Sequence, residues 1–127
     1  MENKTILVVD DDESQRFLCQ EILADEGYNV IVAENGKEAL RIVEEENPDL
    51  VVLDIVMPEM DGLETLPQIL RKHRKMPLIL KTAHSEYLED FMTWAADAYV
   101  IKSSDLSQLK ETIKELLSWR YPSGEAQ

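Results

Sequence analysis

The sequence predicts one α/β domain, a doubly wound sandwich around a parallel sheet of order 2-1-3-4-5. Three observations predict it. Short β-branched runs alternate five times with longer segments of helical spacing, the chain order of parallel strands covered by helices. Three of the runs are apolar throughout rather than alternating, as in strands buried on both faces. The length, 127 residues, suits a single domain with a real core.

The elements follow in order. TILVV (5–9) is the first strand. In 14–26, Phe17, Leu18, Ile22 and Leu23 recur at near-helical intervals, and Gly27 stops that helix. YNVIVA (28–33) is the second strand. Asn35 with Glu38 has the spacing of a cap and a first-turn acid, and Asn47-Pro48 ends the helix that follows. LVVL (50–53) is the third strand. Asp61 with Glu64 repeats the cap spacing, and Pro67 must lie in the first turns of the third helix or kink it. LIL (78–80) is the fourth strand. In the next segment, SEYLEDFMTWAAD, Leu88, Phe91 and Ala95 face the core and leave Tyr87 and Trp94 partly exposed, as on a docking or dimer surface. AYVI (98–101) is the last strand. Leu106, Leu109, Ile113, Leu116 and Leu117 form the apolar stripe of the last helix. The domain is expected over 1–119, with a disordered polar tail over 120–127.

Composition excludes several classes of function. The chain is 44% hydrophobic and 31% charged, with 26 acidic against 13 basic residues and a formal net charge of −13. Such a domain is repelled by phosphate backbones and anionic membrane surfaces, so it is not expected to bind nucleic acid directly. Its charge favours cations. One cysteine, Cys19, excludes an internal disulfide. It sits in a helical pattern as a small buried or half-buried residue rather than a catalytic thiol. No apolar run is long enough to span a bilayer and MENK does not open a signal peptide, so the expected compartment is the cytoplasm.

The chemistry gathers where the strands end. In sheets of this order, sites form beyond the carboxyl ends of the strands, at the switch point between the first and third. The first strand runs into Asp10, Asp11 and Asp12, the third into Asp54, the fourth into Thr82 and the fifth into Lys102. Two like charges about 4 Å apart repel by roughly 1 kcal/mol in water and about 4 kcal/mol at an effective dielectric of 20. Protons or a cation must relieve such a cluster. A magnesium ion suits a site with few carboxylates and several retained waters. A hydroxyl and an ammonium beside it hold the oxygens of a tetrahedral anion. A carboxylate that attacks phosphorus, with a metal and a lysine to spread charge, performs phosphoryl transfer.

These residues carry a resemblance. VVDDD, LVVLDIVMPEMDGLE, KTA and YVIK closely resemble the flavodoxin-like receiver domain of two-component response regulators, over residues 4–119. The resemblance implies that Asp54 accepts phosphate from a sensor histidine kinase, a phosphotransfer protein or a small acyl phosphate. Asp11 would bind Mg2+ directly and Asp10 mainly through water, with Asp54 and the carbonyl of Val56 as further ligands. Thr82 and Lys102 would hold the phosphoryl oxygens. Tyr99 would turn inward when the threonine moves, switching the face of the fourth helix, fifth strand and fifth helix for a downstream protein or a homodimer. Ala83 leaves space beside the site, and Pro58 and Gly62 shape the loop after Asp54. Asp12 is expected to cap the first helix.

The sequence departs from the family at Ser103, where proline usually follows the lysine, at Lys81, where an apolar residue is commoner, and at Ala95, where glycine is frequent. Val56 and His84 occupy the positions that tune self-hydrolysis. Val56 cannot orient water by hydrogen bonding, so a long-lived phosphoryl group is expected. The competing readings are a haloacid-dehalogenase-like phosphatase, with Asp10 as nucleophile in a DxD pattern completed by Asp12, and a scaffold receiver that works without phosphorylation. The receiver itself would be no conventional enzyme, because it transfers phosphate only to its own side chain.

Overall fold

The computed structural model describes residues 4–54, 77–82, 98–101 and 106–120, with only the backbone of Thr82, Tyr99, Ile101, Trp119 and Arg120. Five strands form one sheet: β1 (Thr5–Val9), β2 (Asn29–Ala33), β3 (Leu50–Asp54), β4 (Leu78–Thr82) and β5 (Ala98–Ile101). Three helices are described: α1 (Glu13–Asp25), α2 (Gly36–Glu46) and α3 (Ser107–Arg120), the last being the fifth helical segment of the sequence. The sheet order is β2-β1-β3-β4-β5, and every pair is parallel. That is the predicted doubly wound order. α3 ends at Arg120, one residue beyond the expected domain boundary and within the usual fraying of a helix end.

Strand alternation sorts the core into two layers. Leu7, Val9, Val51, Leu53, Leu78 and Leu80 face α2, where Ala39, Ile42 and Val43 meet them. Ile6, Val8, Leu50, Val52, Ile79 and Val100 face the other way, toward Cys19 and Leu23 of α1 and the leucine and isoleucine stripe of α3. Leu109 and Ile113 are fully enclosed, and each such side chain contributes about 1.5–3 kcal/mol by leaving water. β1 is anchored to its neighbours at its start: Thr5 N–H donates to Asp49 Oδ2 at 2.8 Å, and Asn29 N–H donates to the Lys4 carbonyl at 2.9 Å.

Helix ends follow their sequence signals. Asp12 Oδ1 accepts the N–H groups of Ser14 (2.9 Å) and Gln15 (3.3 Å) at the start of α1, two donors that otherwise lack a helical partner. Gly27 adopts φ +101°, a conformation open to glycine. Its N–H reaches the Ala24 carbonyl at 3.0 Å, and the Tyr28 N–H reaches that of Leu23 at 3.3 Å, closing α1 with a Schellman motif. Asn35 Oδ1 accepts from the Glu38 N–H at 2.8 Å, while Glu38 Oε1 reaches back to the Glu34 N–H at 2.9 Å. Asn47 ends α2 in the left-handed region at φ 48°, ahead of Pro48.

One packing expectation is overturned. Phe17 does not join the apolar face of α1; it is 62% exposed. Cys19 and Leu23, four residues apart, form the fully buried seam instead, with Leu18 and Ile22 packed partly beside it. Phe17 lies two residues from Cys19, about 200° around a helix of 3.6 residues per turn, and so falls on the opposite side. The expectations for Asp61, Glu64, Pro67, Ala83, Ala95, Ser103 and the SEYLEDFMTWAAD segment lie outside the described residues.

Candidate phosphoacceptor and metal site

The site is built where three strands end on one face. β1 pairs with β3 so that Val9 faces Leu53, which brings the next residues, Asp10 and Asp54, side by side at the switch point. β3 pairs with β4 so that Asp54 lies opposite Lys81. Because side chains alternate along a strand, Asp10 continues the face of Val8, Asp54 that of Val52 and Lys81 that of Ile79. All three therefore lie on the α1/α3 side. Asp10 and Asp54 are completely buried and Lys81 is 1% exposed.

Asp10, Asp11 and Asp54 each bring a carboxylate oxygen to within 4.8 Å of the others; Asp11 is exposed and the other two are buried. Magnesium–oxygen distances of about 2.0–2.1 Å place opposite ligands roughly 4 Å apart, so small side-chain adjustments fit this donor set to the ion. All three are oxygen donors, the chemistry a hard divalent cation selects.

Asp10 is held from several directions. Its N–H donates to the Ala33 carbonyl at 3.0 Å, extending the β1–β2 ladder. Its carbonyl accepts from Arg16 Nη1 at 2.8 Å. Oδ1 accepts the Asp12 N–H at 2.9 Å. Oδ2 lies at ion-pair distance, 3.3 Å, from Lys81 Nζ, and that Nζ donates its hydrogen bond to Cys19 Sγ at 3.3 Å. The carboxylates are thus partly balanced by an ammonium from within the chain.

Sequence reasoning placed Asp10, Asp11 and Asp54 together and assigned Asp12 to the cap, and the structure agrees on each. It took the balancing lysine to be Lys102, which lies outside the described residues, as do Val56, Pro58, Gly62 and His84. It missed Lys81 and Arg16 as members of the site. The signal for Lys81 was in the fourth strand, which runs to Thr82 rather than stopping at Leu80. Counting by twos from buried Ile79 assigns position 81 to the same face. Thr82 and Tyr99 take their places in β4 and β5.

A five-stranded parallel sheet with an acidic triad at its switch point defines a receiver-type α/β domain. The chain belongs to the response regulator receiver domain family, which it matches over residues 6–114. It is 38% identical over 117 residues to the alkaline phosphatase synthesis transcriptional regulatory protein PhoP of Bacillus subtilis, an alignment covering 91% of this chain and 49% of PhoP. The chain thus spans about half the length of that relative. The response regulator TrrA of Thermotoga maritima, solved in complex with Mg2+-BeF, is 49% identical, with a TM-score of 0.84 over 90% of this chain and 99% of that one. TrrA solved with the histidine kinase ThkA gives 50% identity and a TM-score of 0.82 over 91% and 99%.

The phosphatase alternative is set aside by this membership. It also needs Asp12 at the catalytic centre, whereas Asp12 Oδ1 is occupied by two helix N–H groups. Among the described residues, no helix is long and apolar enough to cross a membrane.

Proposed function

We propose that this receiver takes a phosphoryl group onto Asp54 in a Mg2+-dependent reaction with a sensor histidine kinase or phosphotransfer protein. The observation that carries the reading is the convergence of Asp10, Asp11 and Asp54 at the end of β1 and β3. A carboxylate oxygen of Asp54 attacks phosphorus as the bond from phosphorus to the donor's imidazole nitrogen breaks, and the imidazole leaves as a neutral base once it takes a proton. Mg2+ supplies charge neutralisation at the transferring oxygens. Asp11 and the Val56 carbonyl would hold it directly and Asp10 mainly through water. Burial of Asp54 keeps bulk water from the acyl phosphate, and Val56 offers no hydrogen bond to orient a hydrolytic water. The product is therefore long-lived, and the domain is a phosphoacceptor rather than a turnover enzyme.

The switch follows from charge. Phosphorylation replaces about one negative charge by nearly two and adds three strong acceptors. Thr82 and Lys102 would bind them, at roughly 1.5–3 kcal/mol for each charged hydrogen bond. Together they approach the 5.5 kcal/mol or so that inverts a 1:99 equilibrium. Tyr99, on β5, would transmit the change to the face made by the fourth helical segment, β5 and α3, where a downstream protein or a second copy docks. The domain is assigned to the residues through the end of α3 at Arg120, with those beyond it as a tail, and to the cytoplasm, where kinase and phosphoryl donor meet.

Incubation with acetyl phosphate and Mg2+, followed by peptide mass spectrometry, tests this. The expected result is a phosphoryl adduct on the peptide containing Asp54, dependent on Mg2+ and absent from Asp54→Asn. An adduct on Asp10, or none in the wild type, defeats the proposal.

A further inference from the structure

Lys81 has no part in the phosphoryl-transfer scheme, yet it stands inside the acid cluster. Among the described residues, the buried charged side chains are Asp10, Asp54 and Lys81. Its Nζ lies 3.3 Å from Asp10 Oδ2, and among the described residues it also meets the soft Cys19 Sγ at 3.3 Å. We propose that Lys81 is a tethered counter-charge that lowers the site's affinity for its divalent cation, so that the ion competes with an ammonium already in place. The inference rests on the Mg2+-dependent reading of the site.

The geometry supports competition rather than mere support. Oδ1 of Asp10 accepts the Asp12 N–H, while Oδ2 meets Lys81 at ion-pair distance without hydrogen-bond geometry. Among the described residues, Lys81 is the ammonium that stands against these three carboxylates. A dication entering beside Lys81 gains the attraction of three acids, two of them buried, but meets the repulsion of that ammonium a few ångströms away. The same ammonium keeps the cluster tolerable without metal, because it answers one carboxylate that is wholly enclosed. A purely structural lysine and a competing one differ in the sign of their effect. Loss of a structural support disorders the ligands and weakens cation binding. Loss of a competing charge strengthens it.

The test is calorimetric titration with MgCl2, with thermal melts at each metal concentration, on the full chain of wild type, Lys81→Met and Lys81→Arg. Methionine keeps the length and apolar stem of lysine and removes the charge. We expect the Kd for Mg2+ to fall at least about tenfold in Lys81→Met, equivalent to about 1.4 kcal/mol, and the Mg2+-induced rise in Tm to widen. Lys81→Arg, which keeps the charge, should stay within about threefold of wild type. A Kd in Lys81→Met that is unchanged or higher, with wild type binding normally, overturns this inference alone. Failure of every variant to bind Mg2+ overturns the metal reading beneath it. If Lys81→Met does not fold without metal, the comparison moves to Asp10→Asn against Asp10→Asn/Lys81→Met, where the second is expected to bind Mg2+ at least about fivefold tighter. Equal or weaker binding there overturns the inference as well.

Discussion

Lys81 Nζ sits 3.3 Å from Asp10 Oδ2 with both side chains shut away from solvent. A buried pair of this kind is weak evidence of net stabilisation, because desolvation of both ions offsets their attraction. Breaking it is another matter. Asp10→Ala removes the carboxylate paired with an enclosed ammonium and is expected to cost about 3–5 kcal/mol. Asp10→Asn/Lys81→Met removes both charges and should cost clearly less than the sum of its two single changes. Urea denaturation of wild type, Asp10→Asn, Lys81→Met and the double variant measures the coupling. Strict additivity would mean that the two groups do not interact.

The three consecutive acids after β1 divide their labour, and Asp12 has the structural share. Its Oδ1 takes the Ser14 and Gln15 N–H groups. Asp12→Ala is expected to lower stability by about 0.5–2 kcal/mol, the usual loss for a removed N-cap, and Asp12→Asn to lose little of it. Labelling of Asp54 by acetyl phosphate should proceed in both variants at near wild-type rates. Chemical denaturation and mass spectrometry on the same samples separate the two roles. A labelling defect as large as that of an Asp11 variant would return Asp12 to the metal site.

Most of the architecture is legible in the residues because local signals and burial agree there. The apolar runs at 5–9 and 50–53 have no other home than a sheet covered twice, and Gly27, Asn35 and Asn47 mark helix ends through conformations or hydrogen bonds that few residue types supply. Phe17 was misread because a large apolar residue near others at roughly helical spacing looks like core. The helix in fact turns its small Cys19 inward, where α1 packs close to the sheet. Lys81 was left out of the site because the fourth strand was read only as far as Leu80; the strand runs on to Thr82, and register with Ile79 puts Lys81 inside. Partner charge overrode the usual preference of lysine for water, and that partner, Asp10, lies 71 residues away in the chain.

Tyr28 offers a pH-dependent prediction. Its hydroxyl titrates above the ordinary tyrosine value of 10.0, first because it is partly buried and second because the Glu26 carboxylate lies near. The folded state therefore holds this proton more tightly than the unfolded chain. Its contribution to stability is fully present below pH 10 and is lost as pH rises through the higher folded value, since there the unfolded state gives up the proton first. Urea midpoints between pH 8 and about 11.5 should fall more steeply in wild type than in Tyr28→Phe. Parallel curves for the two proteins would remove Tyr28 from the account.

Asp11 should show stability and function pulling in opposite directions. It is the exposed member of the triad, within 4.8 Å of two buried carboxylates. Without metal it brings repulsion and gains nothing from burial, so Asp11→Asn is expected to raise the stability of the metal-free protein by about 1 kcal/mol, the size of one such repulsion near water. The same change removes the carboxylate that would touch Mg2+ directly. Phosphorylation of Asp54 should then slow by at least about 10–100-fold, as outer ligands alone already matter to that extent. Strain of this kind, kept because the site needs it, is the usual mark of function built against stability. Melting curves in EDTA and the rate of acetyl phosphate labelling in Mg2+, measured on one preparation, read both effects. An Asp11→Asn protein that is less stable in EDTA, or one labelled as fast as wild type, would place the direct metal ligand elsewhere in the cluster.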